Sequence, residues 1–443
     1  MLIGVIRNVV NELPSDFKAW ELRVDAFSST EELAKMAAVI KSTGHPWILT
    51  GPGRDLSEMV IQWRSTYCDL PIGTPSRQIE KIAASTQVIL SYHNFEETPA
   101  DLSELLLSMQ HPPAKLYKIA CKANSTLDML RLMVFSRSHP DVSCIAMGEL
   151  GSPCRILGPI VGNTLNYAPV GNTDPRLGQI GARDLHETYR FSKLNGETKI
   201  YALLGNPVTR SPGHIFHNEA FGEKKNAVYI KLHLEREELA SFWKLVPELP
   251  FRGFSVTMPF KETVQPHLFS VEEEAFFIGA VNTVFVRPDG KWIGLNTDAS
   301  GALTAIQAKL GHIPNRIAVL GSGGAAKAIV YALAGQGARI EIYSRNVAKA
   351  AALVRDPIHT TLRPLQELSD FSHLDLLINT LPPEVTLSQF GRPKAIMDVS
   401  TSLPDSPLIQ WAREEKIPYI TGYDMFVQQA RLQQEAWGET LWR

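Results

Sequence analysis

The sequence has little cysteine and no excess of either charge. Its four cysteines, Cys68, Cys121, Cys144 and Cys154, all lie within the first 154 of 443 residues and show no zinc-type pairing of spacings, which excludes a disulfide framework and a thiolate metal site. A reducing compartment fits that usage, and the expected location is cytoplasmic. Lys and Arg number 44 against 46 Asp and Glu, a net charge of -2, so the bulk field draws neither nucleic acid nor an anionic membrane. No basic-then-apolar leader opens the chain, because the apolar Met1–Ile6 runs at once into Arg7, Asn8 and Asn11. The longest charge-free run, Ile156 to Thr173, is broken by Gly158, Pro159, Gly162, Asn163, Asn166 and Pro169, which suits a loop around a short strand and not a membrane helix. What remains is ordinary globular composition, 44% hydrophobic and 20% charged, with length for about three compact bodies at roughly 150 residues each. The default partner is a small molecule.

From Met1 to about Tyr189, short apolar runs alternate with stretches of helical period. The strands predicted are Leu2–Arg7, Trp20–Val24, Trp47–Thr50, Tyr67–Leu70, Val88–Tyr92, Leu116–Ala120, Ser143–Met147 and Leu165–Ala168, with helices at Thr30–Ser42 and Thr98–Met109, where Pro99 suits a first turn. Eight strands with helices between them predict a closed parallel (β/α)8 barrel over 1–193. The polar stretch Arg190–Lys199 reads as a linker. Beyond it, strands at Tyr201–Leu204, Val228–Leu232 and Phe254–Thr257 and a hairpin about Pro288-Asp289-Gly290 predict an α/β substrate domain over 199–300, with 424–443 returning to it. A strand, glycine turn, helix and strand through Arg345 predict a Rossmann-like domain over 301–423.

Lys118 lies inside the apolar strand Leu116–Ala120, and alternation puts it on the side of Leu116 and Ala120, which in a closed barrel faces inward. Burial lowers a lysine pKa and would leave the neutral amine that attacks a ketone to form a Schiff base. The same position equally admits a lysine that meets a carboxylate at the barrel mouth. His93, just past the strand Val88–Tyr92, is expected at the carboxyl-terminal rim, where barrel enzymes hold their catalytic groups.

Five segments, Glu21-Leu22-Arg23-Val24-Asp25, Ser91-Tyr92-His93-Asn94-Phe95, Lys118-Ile119-Ala120, Met147-Gly148 followed by Arg155, and Gly178-Gln179, occur in the order seen in type I 3-dehydroquinate dehydratases, which this half resembles over its whole length. The resemblance implies that Lys118 forms an iminium with the substrate ketone and that His93 moves the alpha proton and then protonates the departing hydroxyl. It implies further that Glu21 orients His93, and that Arg23, Arg155 and Gln179 hold the substrate carboxylate and hydroxyls. Arginine suits a carboxylate because its planar fork bonds two oxygens at once. The chain departs from the family where Gly51 and Pro52 follow Thr50, with Arg54 the next arginine, and where Pro175 replaces a serine.

The turn Gly321-Ser322-Gly323-Gly324-Ala325-Ala326 follows the strand Ile317–Leu320 and opens an alanine-rich helix, the setting in which G-x-G-x-x-A binds a dinucleotide pyrophosphate. The next strand, Arg339–Tyr343, ends in Ser344-Arg345-Asn346, and an arginine there favours the 2′-phosphate of NADP over NAD. Glu341 falls inside that strand and reads as structural or solvated. Upstream, Lys261 and Asp298 are candidates for a proton-relay pair beside a nicotinamide, each with an ordinary alternative as a solvated lysine and a helix cap.

This half resembles shikimate dehydrogenase through Gly205-Asn206-Pro207-Val208 with Ser211, the run Phe254 to Lys261, Gly279-Ala280-Val281-Asn282-Thr283, Asn296-Thr297-Asp298, and Gly422 through Gln429 and Ala430. By that resemblance Lys261 and Asp298 are the catalytic pair, and Ser211, Ser255, Thr257, Asn282 and Gln429 bind substrate. Asn379, Thr380, Gly422 and Met425 fall on cofactor-side positions. Gly213 and Thr401 stand where the family has a serine and a tyrosine, and Pro382 and Pro383 where it has small polar residues. The two resemblances together imply a fused enzyme that dehydrates 3-dehydroquinate to 3-dehydroshikimate and reduces that product to shikimate with NADPH. The competing readings are a non-catalytic ligand sensor on the same folds and a reductase preferring quinate or NAD.

Overall fold

The computed structural model describes residues 1–354, 356–368, 370–381, 391–401 and 405–438. Pro382 and Pro383 lie outside the described residues. The chain separates into two compact units, the first Met1–Lys199 with Asn226–Leu234 and Ala240–Phe251, the second Ile200–Lys225, Glu235–Leu239 and Arg252–Arg443. Among the described residues no helix is long and apolar enough to cross a membrane. All four thiols are free and buried, and burial pushes each of them up in pKa, away from reactivity.

The first unit is a parallel α/β barrel of β1 (Leu2–Ile6), β2 (Ala19–Arg23), β3 (Trp47–Thr50), β4 (Tyr67–Pro71), β5 (Gln87–Asn94), β6 (Ala114–Lys122), β7 (Val142–Met147) and β8 (Asn166–Pro169). Their order is β7-β6-β5-β4-β3-β2-β1-β8, and every recorded pairing is parallel, as crossover helices between sequential strands dictate. At the seam between β7 and β8 the Leu165 N–H donates to Ser143 Oγ at 3.1 Å, so the barrel is nearly closed, with a side chain where a ladder would run.

Two local expectations change. The helix after β5 begins at Leu102 and not at Thr98, because the Asp101 carboxylate accepts the Ser103 and Glu104 N–H groups at 2.9 Å and Pro99 stays ahead of the cap. Strand β5 runs on to Asn94, so His93 is itself a strand residue, in register with Ala120.

The strands β9 (Lys199–Gly205) and β10 (Ala227–His233) precede a mixed sheet in which β11 (Phe251–Val256) and β13 (Thr283–Val286) are antiparallel, β13 and β14 (Trp292–Leu295) form the expected hairpin, and β12 (Ser270–Val271) runs parallel to β14. A second, all-parallel sheet follows. It is built from β15 (Arg316–Leu320), β16 (Arg339–Ser344), β17 (Thr360–Pro364), β18 (Leu376–Asn379), β19 (Ile396–Asp398) and β20 (Tyr419–Ile420) in the order β17-β16-β15-β18-β19-β20. Alternation along β15 sends Ile317 and Val319 into one buried cluster and Ala318 and Leu320 into another, so both faces are covered. The order reverses between β15 and β18, and the crevice at such a reversal is where doubly wound sheets bind ligands.

The helix Asp298–Leu310 lies against the carboxyl-terminal helix Gly422–Ala436 at Gly301, where an added Cβ would stand 2.9 Å from the Gln429 backbone nitrogen and 3.1 Å from its Cα. Backbone cannot give way as a side-chain end can. Gly301→Ala is expected to destabilise this unit by about 1–3 kcal/mol, read as a lower denaturant midpoint for its unfolding; an unchanged midpoint contradicts the close packing.

Candidate active sites

The period of two along each barrel strand stacks the interior in layers. The floor is apolar: Ile3, Ala19, Ile48, Ile89 and Leu165, with Tyr67, Leu116 and Tyr167 packed against them. Two residues further along their strands from Ala19, Tyr67 and Leu116 stand Glu21, Asp69 and Lys118, which are 4%, 2% and 4% exposed. Lys118 Nζ donates a short hydrogen bond to Asp69 Oδ2, lies 3.9 Å from Glu21 Oε2 and stands 5.2 Å from the Tyr167 ring centre.

This cluster corrects the expected neutral amine. Burial pulls the Lys118 pKa down, but the Asp69 and Glu21 charges and the Asp69 hydrogen bond outweigh it, so the pKa stands above the ordinary lysine value and the resting amine is an ammonium. Glu21 moves up, chiefly by burial, against the pull of Lys118. Asp69 escaped the sequence reading, although the signal was present: an acid two residues from Tyr67 inside an apolar strand, the argument applied to Lys118. Asp69→Asn removes the strongest counter-charge while burial persists, so the Lys118 pKa falls. Reductive methylation of Lys118 at neutral pH is then expected to be faster than in the unaltered protein; an equal or slower rate contradicts the assignment of Asp69.

His93 follows Ile89 and Ser91 on the inward face of β5, and its ring is open to solvent at the mouth. Desolvation by the surrounding protein, and then the Lys118 charge, lower its pKa to about 4. It is therefore neutral near pH 7, the form that can accept a proton. Glu21 Oε2, Asp69 Oδ1 and the Tyr167 hydroxyl have no hydrogen-bond partner among the described residues, which leaves buried polar atoms around Nζ for a ligand to complete.

The remaining barrel residues ring the mouth. Arg23 bonds Asp25 through both arms of its fork, at 3.0 and 2.8 Å. Arg155 donates to the Leu177 carbonyl at 3.3 Å, and its Nε has no partner. Gln179 Oε1 accepts the Asp174 N–H at 2.8 Å and borders a cavity of about 400 Å³ beyond the carboxyl ends of β1 and β8. Gly178, at φ +62°, would drive a Cβ to 2.2 Å from the Gly148 carbonyl oxygen, so the Met147-Gly148 and Gly178-Gln179 segments are held together by what glycine lacks. Arg54 is exposed on the turn after β3, where its N–H bonds the Gly51 carbonyl at 3.0 Å.

In the second unit Lys261 Nζ and Asp298 Oδ2 are 2.5 Å apart. Asp298 is free for this pairing because Asn296 takes the cap: its Oδ1 accepts the N–H of Asp298 at 2.9 Å and of Ala299 at 3.2 Å. Asn282 Nδ2 donates to Asp298 Oδ1 at 2.7 Å and reaches Gln429 Oε1 at 3.3 Å, while its Oδ1 accepts the Thr297 N–H at 2.8 Å. Ser255 Oγ donates to Gln433 Oε1 at 2.8 Å, and Gln433 Nε2 bonds the Asn282 carbonyl at 3.2 Å. Gln433, one helical turn beyond Gln429, is a second residue the sequence reading passed over. Thr257 packs its methyl where a Cβ on Gly205 would fall, and Ser211 Oγ accepts the Gly213 N–H at 3.2 Å.

The glycine turn spans the gap between β15 and the helix Gly324–Ala334, at the strand-order reversal. Gly321 takes φ +117°, and a Cβ there would strike Thr380 Oγ1, which donates to the Leu320 carbonyl at 2.7 Å. Open space surrounds the Cβ position of Gly323, whereas a Cβ on Gly324 would lie 3.0 Å from Lys261 Cδ. The turn thus offers bare backbone at a helix amino terminus directly beside the Lys261–Asp298 pair, which fits a dinucleotide with its pyrophosphate on the turn. Ala325 is in the helix's first turn, and Asn379 ends β18. Ser344 Oγ bonds Ser322 Oγ at 3.0 Å, and Arg345 beyond it is exposed. Glu341 is engaged by the Tyr343 hydroxyl at 2.8 Å and by His373 at 3.0 Å. Gly422 approaches the Ser400 carbonyl so closely that no Cβ fits, and Met425 is buried in the core cluster with Met397 and Ile420.

Fold and sites together define a lysine-centred α/β barrel joined to a dinucleotide-dependent reductase. A profile of type I 3-dehydroquinase matches residues 5–196, and one of the shikimate dehydrogenase substrate binding domain matches residues 203–284. The chain is 35% identical to the Shikimate biosynthesis protein AroDE of Chlamydia pneumoniae over 387 residues, covering 86% of this chain and 80% of that one. It is 29% identical over 459 residues to the chloroplastic bifunctional 3-dehydroquinate dehydratase/shikimate dehydrogenase of Arabidopsis thaliana, covering 93% and 76%. A crystal structure of a shikimate dehydrogenase in complex with NADP+ superposes with a TM-score of 0.51 at 30% identity, over 55% of this chain and 91% of that one. The chain belongs to the family of bifunctional shikimate-biosynthesis enzymes that join a type I 3-dehydroquinase to a shikimate dehydrogenase. Nothing among these relatives supports a non-catalytic sensor.

Proposed function

We propose that the barrel dehydrates 3-dehydroquinate to 3-dehydroshikimate through a Schiff base on Lys118, and that the second unit reduces 3-dehydroshikimate to shikimate with NADPH. The observation that carries the first half is the buried Lys118 ammonium between Asp69 and Glu21, in a barrel whose mouth carries a neutral His93. Asp69, already bonded to Nζ, is the acceptor at hand for the proton the ammonium must lose before it attacks the ketone. Loss of water from the adduct gives the iminium, an electron sink. His93 takes the alpha proton and returns one to the departing hydroxyl, Glu21 positions it, and hydrolysis frees Lys118. Arg23, Arg155 and Gln179 hold the carboxylate and hydroxyls.

In the second unit Ser211, Ser255, Thr257, Asn282 and Gln429 bind the substrate, and Lys261 donates a proton to the ketone oxygen as it becomes a hydroxyl. Asp298 holds the lysine in place. NADPH, when bound, supplies the hydride; Gly321, Ser322, Gly323, Gly324, Ala325, Asn379, Thr380, Gly422 and Met425 would hold it, with Ser344 and Arg345 at the 2′-phosphate. The division of labour follows the spans 1–193, 199–300 with 424–443, and 301–423, in a cytoplasmic protein whose partners are these small molecules.

Borohydride reduction in the presence of 3-dehydroquinate tests the first half. A mass adduct on the peptide carrying Lys118 is expected, and its absence, or its persistence in Lys118→Ala, overturns the Schiff base. Equal rates with NADH and NADPH overturn the role given to Arg345.

A further inference from the structure

Arg7 stands at the carboxyl end of β1 and lines the same mouth cavity as Gln179. Its guanidinium is exposed and has no ion-pair partner among the described residues. Of the other arginines at the mouth, Arg23 gives both arms of its fork to Asp25, and Arg155 gives one nitrogen to the Leu177 carbonyl and keeps its Nε unpartnered, and neither lines this cavity. Within the cavity lining Arg7 is the one cation and Asp174 the one anion. Asp174 is matched outside the cavity by Arg176, which bonds its two oxygens at 3.0 Å each. The uncompensated charge of the cavity is therefore positive. Gln179 spends its Oε1 on the Asp174 N–H, which leaves its amide nitrogen as a donor.

We infer that Arg7, with the Gln179 amide, is an anchor for the carboxylate of the dehydratase substrate. The role is one of binding and specificity: a planar fork and an amide donor, in a cavity with no unmatched anion, select a ligand that presents a carboxylate at the β1–β8 side of the mouth while its ketone reaches down to Lys118. The inference rests on the dehydratase reading above, and the two fail separately.

The test is the Arg7→Met protein with 3-dehydroquinate, with Arg7→Lys beside it. Loss of a charge-assisted two-point contact is expected to raise KM roughly 10- to 100-fold with kcat nearly unchanged, and lysine, a single-point donor, is expected to fall between. A matched pair of inhibitors, a hydroxylated cyclohexane carboxylate and its primary amide, separates charge recognition from general damage: the unaltered enzyme prefers the carboxylate, and Arg7→Met loses that preference. A KM within twofold of the unaltered enzyme, or a retained preference for the carboxylate, overturns the inference. Borohydride trapping at saturating substrate keeps the two readings apart. Trapping on Lys118 in both proteins leaves the Schiff base standing whatever Arg7 does, whereas no trapping in the unaltered enzyme removes the reading on which the inference rests.

Discussion

Lys118→Ala is expected to abolish dehydration of 3-dehydroquinate while leaving reduction of 3-dehydroshikimate by NADPH unchanged. Removing a covalent nucleophile costs at least about 10⁴-fold in rate, and Lys118 is the one buried lysine among the described residues. Asp69 and Glu21 would then lose the cation that each faces. A folding control follows: far-ultraviolet circular dichroism and retained reductase activity show the chain intact. Dehydration within tenfold of the unaltered enzyme contradicts the account of the barrel.

Lys261→Met and Asp298→Asn are each expected to lower kcat for reduction by about 10²–10⁴-fold, the scale of one positioned proton donor. The two side chains are in direct contact at 2.5 Å, so they act as a unit and the double variant is expected to be scarcely slower than the worse single one. Asp298→Asn keeps the helix start, since Asn296 supplies the cap. Steady-state rates with 3-dehydroshikimate and NADPH, and with 3-dehydroquinate as the internal control, read both effects. Additive losses in the double variant, or a parallel loss of dehydration, contradict the pairing.

Much of this architecture was legible because its rules are periodic. Barrel strands show as apolar runs at regular spacing, and period-two alternation alone puts Lys118 inside. The helix Thr30–Ser42 agrees residue for residue, with Ser29 as its cap. Boundaries set by side-chain competition were harder to read: nothing in Thr98-Pro99-Ala100-Asp101 ranks Asp101 above Thr98 as the cap until the bonds to Ser103 and Glu104 are seen. Electrostatics was the largest gap. The charge state of Lys118 depends on Asp69, 49 positions away along the chain, and pairwise proximity of that kind has no local signature. Gln433 is the milder case, since a glutamine one turn from Gln429 on the same helix face could have been taken with it.

The account's central claim is that one chain performs two successive reactions at separate sites, and the coupled assay tests it most directly. Purified protein given 3-dehydroquinate and NADPH, with no other enzyme present, is predicted to oxidise NADPH and to accumulate shikimate, and Lys118→Ala is predicted to restore NADPH oxidation only when 3-dehydroshikimate is added. Absence of NADPH oxidation with 3-dehydroquinate, under conditions where 3-dehydroshikimate supports it, would contradict the claim.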